Sequence, residues 1–552
     1  MIDLPAALDK VSSTLGRGVA ELRSVGVLAR AGVIGWNDPK GALASLQAMN
    51  AFGSVGGGIV TAATRHGSRI GLVDDLGSST FAELHERSNA LADGLAARGV
   101  PEGATVGLFA RNHRGLLDTT FGAAKGGYRL LLLNTDFAAP QARGVCEREG
   151  VDVLIVDEEF LGVVADIDVP HGTLVAWTDS EPIDGRVAGH DTLESIIASG
   201  DVADRSAPAR HGSIVILTSG TTGMPKGAPR SQPKALSGPG AVLSKIPFRE
   251  AGRVLVAPPI FHSWGLLTAL LAVSTGSTVI VTRRFDPARV LDLLEEHRCT
   301  GLVVVPVMLK RMLDVEDRPP RERDLSALTF IASSGAKIEP SLVLDTMDAF
   351  GDVLYNFYGS TEVASAAIAT PEDLRANPAS AGRPPLGSTV RLYDAAGHPV
   401  PKGETGRIFV GNSMSFTGYT GGGDKDRIGD LVATGDVGHW DEGGRLVVDG
   451  RDDDMIVSGG ENVFPGEVED LIAGLDAVVE VAVIGVDDAT MGQRLEAFVV
   501  VQPGRMLTEA EVRDHVKANL ARYKVPRSIV FLDELPRNPT GKVLKRELRN
   551  PG

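Results

Sequence analysis

The sequence predicts an α/β protein: a large N-terminal domain of layered αβ subdomains plus a small β-barrel, followed by a small α+β C-terminal domain. Three observations predict it. The chain has 552 residues, more than one core can hold, and at ~150 residues per domain it asks for about two to four folding units. From residue 70 to about 310, short apolar runs alternate with helical patterns, as strands linked by helices do in a partly parallel sheet. From about 380 the texture changes to short β runs broken by glycine, and beyond 450 to strands around one clear helix.

The elements follow in chain order. In residues 6–30, Leu8, Val11, Leu15, Val19, Leu22 and Val25 recur at helical spacing, with Lys10, Arg17 and Arg23 elsewhere on the wheel. Such a helix suits either the protein's own body or a membrane surface. Residues 41–64 carry no charge, yet Gln47, Asn50, Ser45, Ser54, Thr61 and Thr64 and several glycines make them a poor membrane span. Residues 1–65 are set apart as an N-terminal extension, with the large domain at 66–450 and the small one at 451–552. "STFAELHERSNALADGLAARG" reads as a helix with Phe81, Leu84, Leu91 and Leu95 on one side and Gly99 ending it. "ATVGLFA", "VDVLIVD", "RVLVAPP", "TVIVTR" and "TGLVVVPVML" read as buried strands, and "DPARVLDLLEEH" as a helix between the last two. "TVRLYDAAGHPVPKGETGRIFVG" starts the small barrel or sheet. After "DGRDDDM" come the strands "VVEVAVIGV", "LEAFVVVQ" and "SIVFLDEL" and the helix "LTEAEVRDHVKANL".

Hydrophobic residues make up 43% and charged residues 23% of the chain, and the net charge is −16. Such a surface repels polyanions, so nucleic acid is not an expected partner, and an anionic ligand needs local positive groups. Cys146 and Cys299 are the only cysteines. They support no disulfide framework and fit a reducing, cytoplasmic setting.

Four stretches carry chemistry. "ILTSGTTGMPKGAP" places Thr218, Ser219, Gly220, Thr221, Thr222, Gly223 and Lys226 after an apolar strand. Glycines let backbone N–H groups approach phosphate oxygens, hydroxyls add donors, and the lysine adds charge. The spacing differs from G-x-x-x-x-G-K-[ST], which disfavours a P-loop fold. "NFYGSTEVA" offers a flat face at Tyr358, a close approach at Gly359, a hydroxyl at Thr361 and a carboxylate at Glu362. A magnesium ion on nucleotide phosphates takes such an oxygen ligand. In 434–469, Asp436 and Arg451 sit at the two ends of a predicted hairpin. The carboxylate suits ribose hydroxyls, or the pair is a plain salt bridge. In "LPRNPTGKVLKREL", a Pro-Thr-Gly turn presents Lys542.

In this order, from about residue 70 to 548, the four stretches closely resemble the adenylate-forming superfamily, which includes acyl-CoA synthetases, bacterial fatty acyl-CoA ligases among them, luciferases and peptide-synthetase adenylation domains. "PPIFHSWG", 258–265, matches a further family motif. The resemblance implies an enzyme that joins a carboxylic acid to AMP, releases pyrophosphate, and passes the acyl group to coenzyme A. It assigns the β and γ phosphates of ATP to the loop from Thr218 to Lys226. Adenine stacks on Tyr358, beside Gly359, Gly335 and Ala336; the α phosphate meets Thr361; magnesium (Mg2+) goes to Glu362; the ribose goes to Asp436 and Arg451. Lys542 bridges acyl carboxylate and α phosphate, His262 gates the acyl tunnel, Asp453 is the hinge of a mobile small domain, and Gly459 and Gly460 line the pantetheine channel. No protein nucleophile is needed, in keeping with the absence of a convincing Ser-His-Asp or Cys-His set.

The sequence departs from the family pattern at Pro229 and Arg230, after the loop, and at Lys337 in "SSGAKI", where many relatives have proline. The implied substrate is a medium- or long-chain fatty acid. An aryl or short-chain acid, an acyl-AMP ligase feeding a carrier protein, a luciferase-like oxygenase and a non-catalytic binding protein are alternatives. Homodimerisation and a peripheral membrane contact through the N-terminal segment stand as open expectations.

Overall fold

The computed structural model describes residues 20–34, 39–181, 185–218, 226–230, 237–360, 362–415, 425–452, 454, 456–458, 461–488, 492–520, 522–538 and 541–549. Two largely parallel sheets form the body of the large domain. In the eight-stranded sheet the parallel strands Leu354–Tyr358, Phe330–Ser333, Gly301–Val304, Arg253–Val256, Thr278–Ile280 and Ile70–Asp74 lie side by side. Antiparallel strands close each edge. In the six-stranded sheet Ser213–Thr218 is followed by Arg129–Leu132, Thr105–Phe109, Val153–Asp157 and Thr173–Trp177, all parallel. Strands buried on both faces read as unbroken apolar runs, which is why "VLIV" and "GLVV" were legible.

The helix Phe81–Ala97 begins at a capping box, Thr80 with Glu83, and buries Phe81, Leu84, Leu91 and Leu95. Each such side chain contributes roughly 1.5–3 kcal/mol by leaving water. "TGLVVVPVML" is not one strand. The strand stops at Val304, and Pro306 starts the helix Pro306–Leu313, because proline lacks the N–H a ladder needs but fits a helix's first turn.

The N-terminal segment packs differently from its apolar pattern. Leu8, Val11, Leu15 and Val19 lie outside the described residues. In the helical residues 20–30, Leu22 is 76% exposed, whereas Ala20, Ser24 and Leu28, and Ala31 in the turn that follows, are buried. The buried face is set by close approach: a Cβ on Gly240 would come within 2.7 Å of Ser24 Oγ. The uncharged stretch is helical, Pro39–His66, broken at Gly53 (φ 71°). It buries Val55, Ile59 and Ala62 in the main core, so this part of the extension is built into the large domain. No helix among the described residues is long and apolar enough to cross a membrane.

After residue 380 comes a six-stranded antiparallel sheet, including Thr389–Tyr393, Gly406–Gly411, Leu431–Trp440 and Leu446–Arg451. Its last strand ends at Arg451, and Ile456–Ser458 already belongs to a separate five-stranded sheet. That sheet pairs Val478–Asp488 with Gly492–Val501 and adds Ser528–Leu532 in parallel. The helices Pro465–Ala473 and Glu509–Asn519 bury Val468, Ile472, Val512 and Val516 against it, a small core of its own.

Candidate active site

Between the two domains runs a cleft of about 2450 Å³, bordered by Tyr358, Gly359, Glu362, Asp436, Arg451, Lys542 and His262, with Gly335 and Ala336 beside them. Residues far apart in sequence therefore converge. Ser219, Gly220, Thr221, Thr222, Gly223, Thr361, Asp453, Gly459 and Gly460 lie outside the described residues. For the glycine-rich loop only the frame is visible. Ser213–Thr218 pairs antiparallel with Lys226–Arg230, in register Thr218 to Lys226. Pro229 sits opposite Val215 in this strand at the sheet's edge, where proline costs least. The sequence departure at Pro229 and Arg230 is thus an edge strand.

Tyr358 ends the strand Leu354–Tyr358. The chain then turns sharply, and a Cβ on Gly359 would lie 1.9 Å from Ala364 O, so only glycine fits. Ser360 Oγ accepts the backbone N–H groups of Glu362 (3.2 Å) and Val363 (3.3 Å), and Asn412 Nδ2 donates to Val363 O at 2.7 Å. These bonds aim the half-buried Glu362 at the cleft.

Asp436 and Arg451 are direct partners across the hairpin. Arg451 Nη1 lies 3.4 Å from Asp436 Oδ1, and the Tyr358 hydroxyl donates to Asp436 Oδ2 at 2.5 Å. Burial raises the Asp436 carboxyl above the usual carboxylate range, opposed by Tyr358, Arg451 and Lys542. Burial also keeps the Tyr358 phenol neutral, with its pKa well above the ordinary value. The site therefore contains the salt bridge and, in the same carboxylate, an acceptor bordering the cleft.

Lys542 stands exposed on a tight turn. Asn538 Oδ1 accepts its backbone N–H at 2.9 Å, Asn538 N donates to Lys542 O at 2.9 Å, and Gly541 takes φ 78°. A Cβ on Gly541 would meet Val307 at 2.4 Å, so the turn of the small domain sits tightly on the large one.

His262 precedes the helix Ser263–Ser274 and is partly buried, its ring tilted against Phe261 at 4.4 Å. Its Nε2 has no hydrogen-bond partner among the described residues, and burial pushes its pKa down to about 4. The neutral imidazole suits a wall rather than a cationic anchor. Two features had no motif to announce them. Asn112 clamps the loop before His262, donating to Pro258 O at 2.9 Å and accepting from Ile260 N at 2.7 Å. Trp264 donates to Val304 O at 3.1 Å and stacks on Phe357 at 4.9 Å. Asn112→Ala leaves two buried backbone groups unpaired. It is expected to cost about 1–3 kcal/mol of stability, read by urea unfolding, and to raise the KM of the acid more than that of ATP.

Glu339 also borders the cleft, with Oε2 buried and no hydrogen-bond partner among the described residues. Burial, and then Asp470, push its carboxyl up to about 7, with Glu469 adding to the rise and Lys337 and Lys310 opposing it. An acid whose folded pKa is raised holds its proton more tightly when folded. Its ionisation therefore subtracts stability progressively between about pH 5 and 7. Thermal melts of Glu339→Gln are expected to flatten the pH dependence in that window.

Among the described residues no group of three or more His, Cys, Asp or Glu side chains could hold a metal ion. Glu362 alone still fits magnesium, which is usually held by one or two carboxylates with substrate phosphates completing its shell.

Residues 59–420 match the AMP-binding enzyme family, and residues 467–542 match the AMP-binding enzyme C-terminal domain. The chain is 35% identical over 503 residues to an indoleacetate–CoA ligase of Aromatoleum aromaticum, covering 86% of this chain and 93% of that one. It is 30% identical over 477 residues to a long-chain-fatty-acid–CoA ligase of Mycobacterium tuberculosis, covering 85% and 92%. Among solved structures, an anthranilate CoA ligase in complex with anthranoyl-AMP superposes with a TM-score of 0.81 at 25% identity, covering 90% of this chain and 96% of that one.

Proposed function

The chain belongs to the AMP-binding enzymes of the adenylate-forming superfamily, and from that premise we propose that it activates a medium- or long-chain fatty acid to its CoA thioester through an acyl-AMP. The observation that carries the reading is the convergence of Lys542, from the small domain, with Tyr358, Glu362, Asp436 and Arg451 on one cleft that His262 and the apolar Leu267, Val242 and Val305 also line. The substrate carboxylate attacks the α phosphate, and pyrophosphate leaves. The CoA sulfur then attacks the acyl carbon, and AMP leaves.

The protein's part is positioning and charge. Asp436 accepts the ribose hydroxyls in place of the Tyr358 hydroxyl it holds here, and Arg451 keeps it ionised. The glycine-rich loop from Thr218 to Lys226 takes the outer phosphates, and Tyr358 with Gly335, Ala336 and Gly359 takes the base. Lys542 sits between two anions that must meet, where a fixed cation stabilises the developing charge. Magnesium at Glu362 would offset charge on the departing pyrophosphate. Leu267, Val242 and Val305 line the cleft with His262 and suit an apolar acyl group. The free, buried thiols of Cys146 and Cys299 fit a cytoplasmic setting.

A second reading, an arylalkanoic acid, is favoured by the higher identity to the indoleacetate–CoA ligase. The test is pyrophosphate release with ATP, magnesium and acids from acetate to stearate plus benzoate and indoleacetate, each with and without CoA. CoA-dependent turnover peaking at one fatty length supports the first reading, and a peak at the aryl acids replaces it. A single stoichiometric burst that CoA cannot turn into turnover points to an acyl-AMP ligase with a carrier protein as acceptor.

A further inference from the structure

The loop after the strand Phe330–Ser333 places Lys337 against the helix Pro465–Ala473 of the small domain. Lys337 Nζ lies 2.9 Å and 3.1 Å from the two carboxylate oxygens of Asp470. A Cβ on Gly466, one turn earlier on the same helix, would stand 3.1 Å from that nitrogen, so the missing side chain leaves room for the lysine. A second lysine of the large domain, Lys310 on the helix Pro306–Leu313, donates across the boundary to the carbonyl of Val479. The helix that carries Lys310 also carries Val307, whose contact with Gly541 seats the Lys542 turn.

The charge pairing singles out Asp470. Glu467 takes Lys524, Glu469 takes Lys545 and Glu480 takes Arg537, all within the small domain. Of these four acids, Asp470 takes its cation from the other domain. Burial, with Glu469 and Glu467 adding like charge, makes an unpaired Asp470 unfavourable. Any displacement of the small domain from this seat strips Asp470 of its counter-ion and Lys310 of its acceptor.

We propose that Lys337 with Asp470, and Lys310 with the Val479 carbonyl, form a two-point seat that holds Lys542 over the reacting phosphate and thereby sets the rate of adenylate formation. Lys337 and Lys310 are positioning residues, which act through Lys542. The position of Lys337, where the family commonly has proline, thus serves the domain boundary.

The proposal rests on the adenylate-forming reading but on no particular acid. Lys337→Ala and Lys310→Met are expected to slow the pyrophosphate burst about threefold to tenfold, a partly exposed ion pair at Lys337 and a single hydrogen bond at Lys310 each being worth little alone. Thioester formation from supplied acyl-AMP and CoA should not slow. The Lys337→Asp, Asp470→Lys double exchange should recover most of the burst rate. In a Lys542→Ala background, Lys337→Ala should add nothing, because the residue it positions is gone. A structural arm needs no acid: spin labels at Leu344→Cys (38% exposed) and Met506→Cys (90% exposed) report the interdomain distance, and the native cysteines are buried. Lys337→Ala should broaden that distance distribution, and the double exchange should narrow it. Equal slowing of both half-reactions, or a distance distribution indifferent to Lys337, overturns the proposal. If no acid in the panel turns over, the acid assignment fails while the spin-label arm still decides the seat.

Discussion

Lys542→Ala lowers the rate of pyrophosphate release by about 100- to 1000-fold, the range seen when one preorganised charge-stabilising group is removed from a reacting centre. The same variant forms thioester from supplied acyl-AMP at nearly the parental rate. The expected split follows from the geometry. The turn that carries Lys542 is held by the Asn538 side chain, by backbone bonds and by Gly541, none of which involves the ammonium group. Truncation therefore removes a cation without unfolding its support. In adenylate formation a carboxylate must approach a phosphate, and the ammonium between them relieves the repulsion. In thioester formation those groups are already joined, and the cation has little left to do. Rapid quench for the first half-reaction and thioester absorbance for the second measure the two rates. Equal losses in both would remove the lysine from its assigned role.

Asp436→Ala raises the KM for ATP by roughly 10- to 100-fold, as expected from losing hydrogen bonds to a charged acceptor worth about 1.5–3 kcal/mol. The carboxylate is the meeting point of Tyr358 at 2.5 Å and Arg451 at 3.4 Å. Its removal strands a half-buried phenol and a guanidinium, so a moderate loss of melting temperature accompanies the kinetic effect. Deoxy-nucleotides separate the two contributions. In the parent enzyme, 2′-deoxy- and 3′-deoxy-ATP are poorer substrates than ATP. In Asp436→Ala that difference shrinks to within a few-fold, because the group that read the hydroxyls is absent. A deoxy penalty that survives in the variant would show that Asp436 serves the hairpin alone.

Much of the site was legible because its chemistry is local. Tyr358, Gly359 and Glu362 fall within five residues, and Lys542 follows its own turn. Asp436 and Arg451 faced each other because two strands joined by a short reversal can pair in few ways. The seat of Lys542 was not legible. Lys337 and Asp470 are separated by 133 positions, and nothing near either residue names the other. Asn112 and Ile260 are likewise 148 apart. The N-terminal segment misled for a related reason. Its large apolar residues spelled one helical face, but among residues 20–31 the buried face is the one with small residues, Ala20, Ser24 and Ala31, around Leu28. Close approach to Gly240 outweighed the burial of Leu22.

By itself the sequence determined the alternation of strands and helices, the change of texture near 450, and the residues whose type and spacing suit a nucleotide and an acid. Those follow from backbone periodicity and from the covalent neighbourhood of each motif, which no distant contact alters. The tertiary structure alone decided that these residues share one cleft, that Asp436 is half-buried and paired, that the His262 loop hangs on Asn112, and that Lys337 reaches across to the small domain. Each depends on which surfaces meet, and that is set by the summed packing of sheets and helices over the whole chain rather than by any segment of it.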